Sequence, residues 1–323
     1  MKKLPLVSVF CLCYNHEKYV SQAIQSVLNQ TYSNIELIVV DDASTDGSKG
    51  EIEQILKNQQ FTFLYLPENV GNTKAFNRAF VRSNGKYIID LAADDVLVQD
   101  RIEKQVAFFE ESSNSTGVIY SDVAYIDGNG QPLSHHFSNK KHIPYTGNVY
   151  EKLISTYFIP PPSMMMKREV LEQLNGYDEN LAYEDFDFWI RSSRDWLYAY
   201  QPEKLTLVRR LEDSLSSKAY SKHDKQLYST YVVCKKIKSL NKTESENRAL
   251  RKRLEYEIRH SVFSGNYQEA KLFVALYREM KALPITLRLL ELLNRLKIDF
   301  SFLRNLYQKL VRLVKKNAPY WFY

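Results

Sequence analysis

Over the first 126 residues, short apolar runs alternate with stretches whose apolar residues recur at helical spacing. LVSVFCLC (6–13), IELIVV (35–40), FTFLYL (61–66), KYIIDLA (86–92) and GVIYSDVAYI (117–126) are brief and rich in β-branched and aromatic residues, and they read as strands. Between them, Val20, Ile24, Val27 and Leu28 share one helical face, and Ile52, Ile55 and Leu56 mark a second helix. Ala75, Phe76, Ala79 and Phe80 mark a third, and Ile102, Val106 and Phe109 a fourth. Such β–α repetition predicts an α/β fold, a mostly parallel sheet with helices on both faces. In open sheets of this kind ligands sit outside the carboxyl ends of the strands. Tyr14 and Asn15 end the first run, Asp41 and Asp42 the second, and Asp94 and Asp95 follow the fourth. The predicted topology brings all three sets to one edge.

From about residue 217 the pattern becomes all-helical, with candidate stretches at 219–239, 243–263, 267–281, 285–297 and 300–316. Gly265-Asn266 fits a helix–helix turn and Pro284 a first helical turn. Two regions are therefore expected, 1–216 and 217–323.

Composition narrows the class. Of the 323 residues 44% are apolar and 25% charged, the balance of a soluble globular protein, and no 18-residue apolar run provides a membrane span. The start, MKKLPLVSVFCLCYN, has the lysines and apolar stretch of a signal peptide but no small-residue cleavage site, so it reads as a first strand. Three cysteines (Cys11, Cys13, Cys234) form no disulfide framework; the first two lie on one strand face as core thiols, and the compartment they imply is a reducing cytoplasm. From residue 261 onward eleven Lys/Arg oppose four Asp/Glu, a net +7, so with +6 overall the first 260 residues carry −1. The basicity belongs to the tail.

An ionised carboxylate removed from water costs several kcal/mol unless it is paired or coordinated, on the order of the Born penalty reduced by relaxation. Asp is common in turns, and one Asp pair alone reads as a turn cap. Two pairs on one sheet edge point instead to Mg²⁺ or Mn²⁺, held by one or two carboxylates together with phosphate oxygens of a ligand.

YNHEKYVSQAIQSVLNQTYSNIELIVVDDASTDGS (14–48), NVGNTKAFNRAFVRSNGKYIIDLAADD (69–95) and NGYDENLAYEDFDFWIR (175–191) together resemble the family 2 glycosyltransferases over roughly residues 5–216. The resemblance implies a GT-A fold: a Rossmann-like sheet whose first part (about 1–100) binds a UDP- or dTDP-sugar and whose second (about 101–216) holds a glycan or lipid-linked acceptor. It implies that Asp42 accepts a hydrogen bond from the nucleobase, with Tyr14, Asn15 and Glu17 lining that pocket and Asn72, Lys74 and Asn77 near the nucleotide. Asp94 and Asp95 match the end of the acidic metal-binding motif, Asp95 for Mn²⁺ or Mg²⁺ and Asp94 for the ribose or a second metal contact. The sequence departs from the family's D-x-D, with alanine at 92 and 93. In YEDFDFW (183–189) Asp185 matches the general base of an inverting transfer, and Glu184 supports it or binds acceptor. Without the resemblance these acids, with Asp187, read as favourable charge at a helix N-terminus. LVRRLEDSLS (207–216) resembles a late family segment; Arg209 is placed to reach the diphosphate, and Leu211 stands where the family has histidine.

His135 and His136 read as part of a solvated loop, and Met164, Met165 and Met166 as core rather than a binding stripe. The tail, ITLRLLELLNRLKIDFSFLRNLYQKLVRLVKK (285–316), is basic and amphipathic, suited to an anionic membrane surface, or to packing against the catalytic domain or a second subunit. No nucleic-acid-binding motif occurs. The expected protein is a cytoplasmic enzyme of bacterial surface-polysaccharide synthesis such as capsule or O-antigen, peripheral to the membrane if the tail binds lipid. A non-catalytic nucleotide-sugar-binding protein is the alternative raised by Ala92, Ala93 and Leu211; a nucleotidyltransferase would need a Gly-rich loop after the first strand, where FCLCYNHEKY has no glycine.

Overall fold

The computed structural model describes residues 4–138, 143–211, 220–222 and 224–300. Nine strands form one sheet: β1 (Val7–Cys13), β2 (Ile35–Asp41), β3 (Thr62–Tyr65), β4 (Tyr87–Ala92), β5 (Val96–Leu97), β6 (Thr116–Ile126), β7 (Pro132–His135), β8 (Met165–Lys167) and β9 (Leu197–Arg209). Their spatial order is β3-β2-β1-β4-β8-β6-β9-β5, with β7 beside β6. β1, β2, β3 and β4 pair in parallel, as do β6 and β9, whereas β8, β5 and β7 run antiparallel to their neighbours. The chain divides into two compact units, one of Met1–Val149 with Phe158–Arg210, the other of Tyr150–Tyr157 with the chain from Leu211 on.

In the first unit the helices are α1 (Val20–Leu28), α2 (Ser48–Leu56), α3 (Asn72–Phe80), α4 (Arg101–Glu111), α6 (Arg168–Leu174) and α7 (Asp185–Ser192). All seven residues of β1 are buried, which requires cover on both faces. Val7, Val9, Cys11 and Cys13 pack with Val20, Ile24, Val27 and Ile102 from α1 and α4. On the opposite face Phe10 meets Phe76 of α3 edge-on at 5.1 Å. Fully burying side chains of this size stabilises by roughly 1.5–3 kcal/mol each, so β1 is the keel of the sheet. Met164, Met165 and Met166 are buried, as core residues.

The second unit holds α5 (Tyr150–Ser155), α8 (Lys225–Leu240), α9 (Glu244–Phe263), α10 (Tyr267–Arg278) and α11 (Ile285–Arg295). Thr243 and Glu246 form a reciprocal capping box at the start of α9. Arg253 of α9 pairs with Glu257 at 3.3 Å in the interior and donates to the Ile154 carbonyl of α5. α11 buries Leu287 and leaves Ile285, Leu289, Leu292 and Leu296 exposed. The helix expected at 300–316, from 301 onward, and the region boundary expected near 217 lie outside the described residues.

One expectation is corrected. His135 ends β7 rather than lying in a solvated loop, with Nδ1 2.6 Å from the buried Asp122 carboxylate. His136 is buried, Nδ1 2.8 Å from Tyr125 Oη and Nε2 3.1 Å from the Phe158 carbonyl. The β6–β7 hairpin folds this stretch back onto the sheet, a long-range pairing with no local signal in so polar a segment.

Candidate active site

β1, β2 and β4 end at one level: Cys13 pairs with Asp41, and Leu12 with Ala92. Two loops leave this edge side by side. Asn15 turns the first through a left-handed conformation (φ 57°), which Asn adopts more readily than most residues, and Ala43 turns the second (φ 59°). Hydrogen bonds stitch them together. Asn15 N–H donates to Ser44 Oγ (2.9 Å), Thr45 N–H to Asn15 Oδ1 (2.8 Å), His16 N–H to Ser48 Oγ (2.9 Å) and Glu17 N–H to Asp46 Oδ2 (3.0 Å). Gly47 N–H returns to Glu17 Oε2 at 3.1 Å, and a Cβ at Gly47 would sit 2.6 Å from that carboxylate. Asn15 and Glu17 thus fasten one loop to the other, while Tyr14 beside them is exposed.

The adjacent carboxylates take different tasks. Asp41 is fully buried; its Oδ1 accepts Ser44 N–H at 2.7 Å and its Oδ2 meets no hydrogen-bond partner among the described residues. Asp42 accepts Val70 N–H with one oxygen and Gly71 N–H with the other, both at 2.8 Å. Those donors lead into α3, where Gly71 (φ 88°) precedes Asn72, so Asp42 ties the end of β2 to a helix N-terminus that favours negative charge.

Asp94 and Asp95 also diverge. Asp95 is buried, and its Oδ1 accepts Arg209 N–H at 2.8 Å. Loss of water, and then the neighbouring Asp94, push its carboxyl well above the usual range. Asp94 stays partly open, its Oδ2 4.0 Å from His16 Nε2. The Arg209 guanidinium is committed: Nε donates to the Asp94 carbonyl (3.0 Å), Nη1 to the Asp127 carbonyl (3.0 Å) and Nη2 to Gln22 Oε1 (2.7 Å), with the group 4.5 Å over the Tyr19 ring. Arg209 thus ties the loops after β4 and β6 to α1.

A second acidic group gathers around β4 and α7. Asp90 lies two residues inside Ala92, and Tyr177 Oη donates to its Oδ2 at 3.4 Å. Tyr177 is itself fixed by stacking on Phe76 at 4.0 Å. Asp90, Glu184 and Asp185 interact. Loss of water raises all three carboxyl pKa values; Glu184 raises Asp90 further, and Glu184 and Asp90 raise Asp185 further. A hydrogen bond from the Asn72 side chain opposes the rise at Glu184. Like-charge carboxyls that resist ionising together are a recurring feature of acid–base sites. Asp187 is different. It is buried against Arg191 Nε at 2.6 Å, and Arg191 also donates to the carbonyls of Leu174 and Gly176.

Asn77 serves the same turn. Its Nδ2 donates to the Tyr177 carbonyl (2.9 Å) and to Glu179 Oε1 (3.0 Å), and its Oδ1 accepts Tyr177 N–H (2.9 Å). Gly176 (φ 76°) is required there, since a Cβ would lie 2.4 Å from Asn77 Oδ1. Lys74 is half-buried on α3 and makes no hydrogen bond or ion pair among the described residues. Asp90 is the acidic residue that motif reading passes over, although a lone carboxylate within the apolar run YIIDLA, at even spacing from Asp94, is a visible signal.

Among the described residues no three His, Cys, Asp or Glu side chains enclose a metal-sized space. Mg²⁺ and Mn²⁺ bound with a phosphorylated ligand need only one or two carboxylates, and the open oxygen of Asp94 fits that requirement.

A profile described as Glycosyl transferase family 2 matches residues 8–174, more than half of the chain. The chain belongs to that family. Among family relatives, an uncharacterized glycosyltransferase of Methanocaldococcus jannaschii is 35% identical over 58% of this chain, a match that spans 64% of the relative's own length. TuaG of Bacillus subtilis, a glycosyltransferase named for teichuronic acid biosynthesis, is 28% identical over 73% of this chain and 90% of its own. Two solved structures share the fold. Staphylococcus aureus TarS 1–349 in complex with UDP-GlcNAc has a TM-score of 0.65 at 20% identity, covering 90% of this chain and 87% of TarS 1–349. The mannosyltransferase PcManGT of Pyrobaculum calidifontis, in complex with GDP-Man and Mn²⁺, has a TM-score of 0.60 at 15% identity, covering 95% of this chain and 89% of its own. The GT-A fold expected from the sequence is the fold of the chain. No described helix is long and apolar enough to cross a membrane.

Proposed function

We propose that this family 2 glycosyltransferase moves a sugar, with inversion, from a UDP- or dTDP-sugar to a glycan or lipid-linked acceptor of a bacterial surface polysaccharide. The observation that carries the reading is one sheet edge with two different acidic environments: the partly exposed Asp94 facing His16, suited to a cation, and the mutually interacting carboxyls of Asp90, Glu184 and Asp185, raised by loss of water and by one another and suited to holding a proton. TuaG's name supports polysaccharide chemistry, the UDP-GlcNAc bound by TarS supports a UDP-sugar donor, and the Mn²⁺ bound by PcManGT supports the metal.

In this reading residues 1–216 are the catalytic region. Asp42 keeps a second lone pair on each oxygen for a nucleobase N–H, Tyr14 lies against the base, and Asn72 and Lys74 meet the nucleotide at the start of α3. Asn15, Glu17, Asn77 and Arg209, through their bonds to neighbouring segments, hold this donor surface in shape. Asp94 is the principal ligand of Mn²⁺ or Mg²⁺ and Asp95 supports it from behind, the reverse of the order implied by the motif. Bound there, the cation offsets charge on the departing diphosphate. Asp185 takes the proton of the acceptor hydroxyl as that oxygen bonds to the anomeric carbon. The bond from that carbon to the diphosphate oxygen breaks, and the nucleoside diphosphate leaves with the electron pair. Glu184, held by Asn72, orients acceptor and base. The protein would work at the cytoplasmic face of the membrane, with α11 meeting lipid or a second copy.

A panel of UDP-, dTDP- and GDP-sugars, assayed for nucleoside diphosphate release with Mn²⁺, Mg²⁺ or EDTA, tests the reading. A UDP- or dTDP-sugar should be turned over only with metal. Failure of every donor to bind or turn over would reject it, and turnover of a GDP-sugar alone would reassign the donor.

A further inference from the structure

His16 is held with unusual care for a loop residue. Its N–H donates to Ser48 Oγ at 2.9 Å, and its carbonyl accepts Tyr19 N–H and Val20 N–H, each at 2.9 Å, at the entry to α1. The left-handed Asn15 immediately before it sets the direction in which the ring leaves the backbone. The ring then sits across a gap from Asp94, with Nε2 4.0 Å from Oδ2. That separation is too long for a hydrogen bond. Nδ1 is buried and meets no hydrogen-bond partner among the described residues.

These two facts select a tautomer. A proton on Nδ1 would be a buried, unpaired donor, costing about 1–3 kcal/mol. A singly protonated ring therefore carries its proton on Nε2, the nitrogen that faces Asp94, and presents an N–H to the gap. An Nε2–H aimed at a metal-binding carboxylate without touching it is placed for an anion that the same cation draws in. Direct ligation through Nε2 would force the proton onto the unpartnered Nδ1, whereas metal-bound histidines ordinarily donate that proton to a partner.

We infer that His16 is a diphosphate-binding residue of this enzyme: its Nε2–H donates to an oxygen of the donor's diphosphate, beside the cation held by Asp94. The inference rests on the metal-dependent reading above and deepens it. In the reaction the same hydrogen bond strengthens as charge develops on the leaving diphosphate, so the ring contributes to leaving-group stabilisation without giving up its proton.

The experiment uses the full chain and three probes: Mn²⁺ alone, followed by electron paramagnetic resonance; whichever of UDP, dTDP and GDP binds most tightly with Mn²⁺; and the corresponding monophosphate. His16→Ala should leave Mn²⁺ affinity unchanged, weaken the diphosphate about 10-fold, and leave the monophosphate within twofold. His16→Gln should restore much of the loss, because its amide N–H reaches the position of Nε2. Asp94→Asn should weaken Mn²⁺ itself. If His16→Ala binds the diphosphate like the wild type, or weakens mono- and diphosphate alike, the inference fails while the wider reading stands. If His16→Ala loses Mn²⁺ as severely as Asp94→Asn, the ring is a metal ligand and the inference is wrong. If Asp94→Asn changes neither Mn²⁺ nor nucleotide binding, the metal-dependent reading itself falls.

Discussion

The carboxylates of this protein have the same formal chemistry and very different environments, and the differences decide what each substitution does. Asp187 is a buried partner of Arg191, which in turn holds the Leu174–Gly176 carbonyls. Asp187→Asn should leave an uncompensated arginine and cost about 3–5 kcal/mol of stability, the usual result of removing one partner of a buried pair. Denaturant unfolding will read this as a lower midpoint, while nucleotide affinity of the folded protein stays at the wild-type value. Glu184 is the opposite case. Its carboxyl pKa is raised by loss of water, so its contribution to stability is complete below the unfolded-state pKa and is lost as pH rises through the folded value. Glu184→Gln should therefore melt at a higher temperature than wild type at pH 8 and at nearly the same temperature at pH 4, in a fluorimetric melting series. Equal shifts at both pH values would mean that ionisation is not the cause. Which acids matter was only partly legible in the sequence. The motifs pointed to Asp42, Asp94, Asp95, Glu184 and Asp185, but no motif separates the open Asp94 from the buried Asp95, because that depends on Arg209 more than a hundred residues away. The same holds for Asn15 and Glu17, which bond to the neighbouring loop, and for Asn77 of α3, which bonds to Tyr177 and Glu179: these partners are distant in the sequence, and no motif names them.

At the scale of elements the pattern was far more legible. β1, β2 and β4 are mostly apolar runs, broken at Ser8, Glu36 and Asp90, because both faces of the sheet are covered, and such runs are among the strongest local signals. α9 announces itself through the Thr243/Glu246 capping box. β7 and β8 are short strands whose pairing is set by distant neighbours, and β7 carries no alternation of its own. α11 leaves Ile285, Leu289, Leu292 and Leu296 exposed at spacings of four, three and four, a seam rather than scattered apolar residues. A double substitution, Leu289→Glu with Leu292→Glu, removes that seam without touching the buried Leu287. If α11 meets lipid, it should abolish sedimentation with anionic liposomes. If α11 joins two copies, it should halve the mass seen by light scattering. No change in either would leave the exposed seam without a role in association.

For the whole molecule, the account predicts that binding and chemistry reside in different residues of one sheet edge. In the proposed reaction donor and cation meet Asp42, Asp94 and the start of α3, whereas the proton goes to Asp185, whose pKa is raised by loss of water and by Glu184 and Asp90. Transfer in the wild type should accordingly fall as pH drops through a value above the ordinary carboxylate range, since a protonated base cannot accept. The most direct measurement compares wild type and Asp185→Asn for nucleoside diphosphate release at saturating donor and Mn²⁺, alongside the affinity of each for that nucleotide. The predicted result is a rate lowered by about 10²–10⁴-fold, the usual contribution of a positioned general base, with affinity within twofold of wild type. Undiminished release by Asp185→Asn, with the wild-type pH dependence retained, would contradict the account.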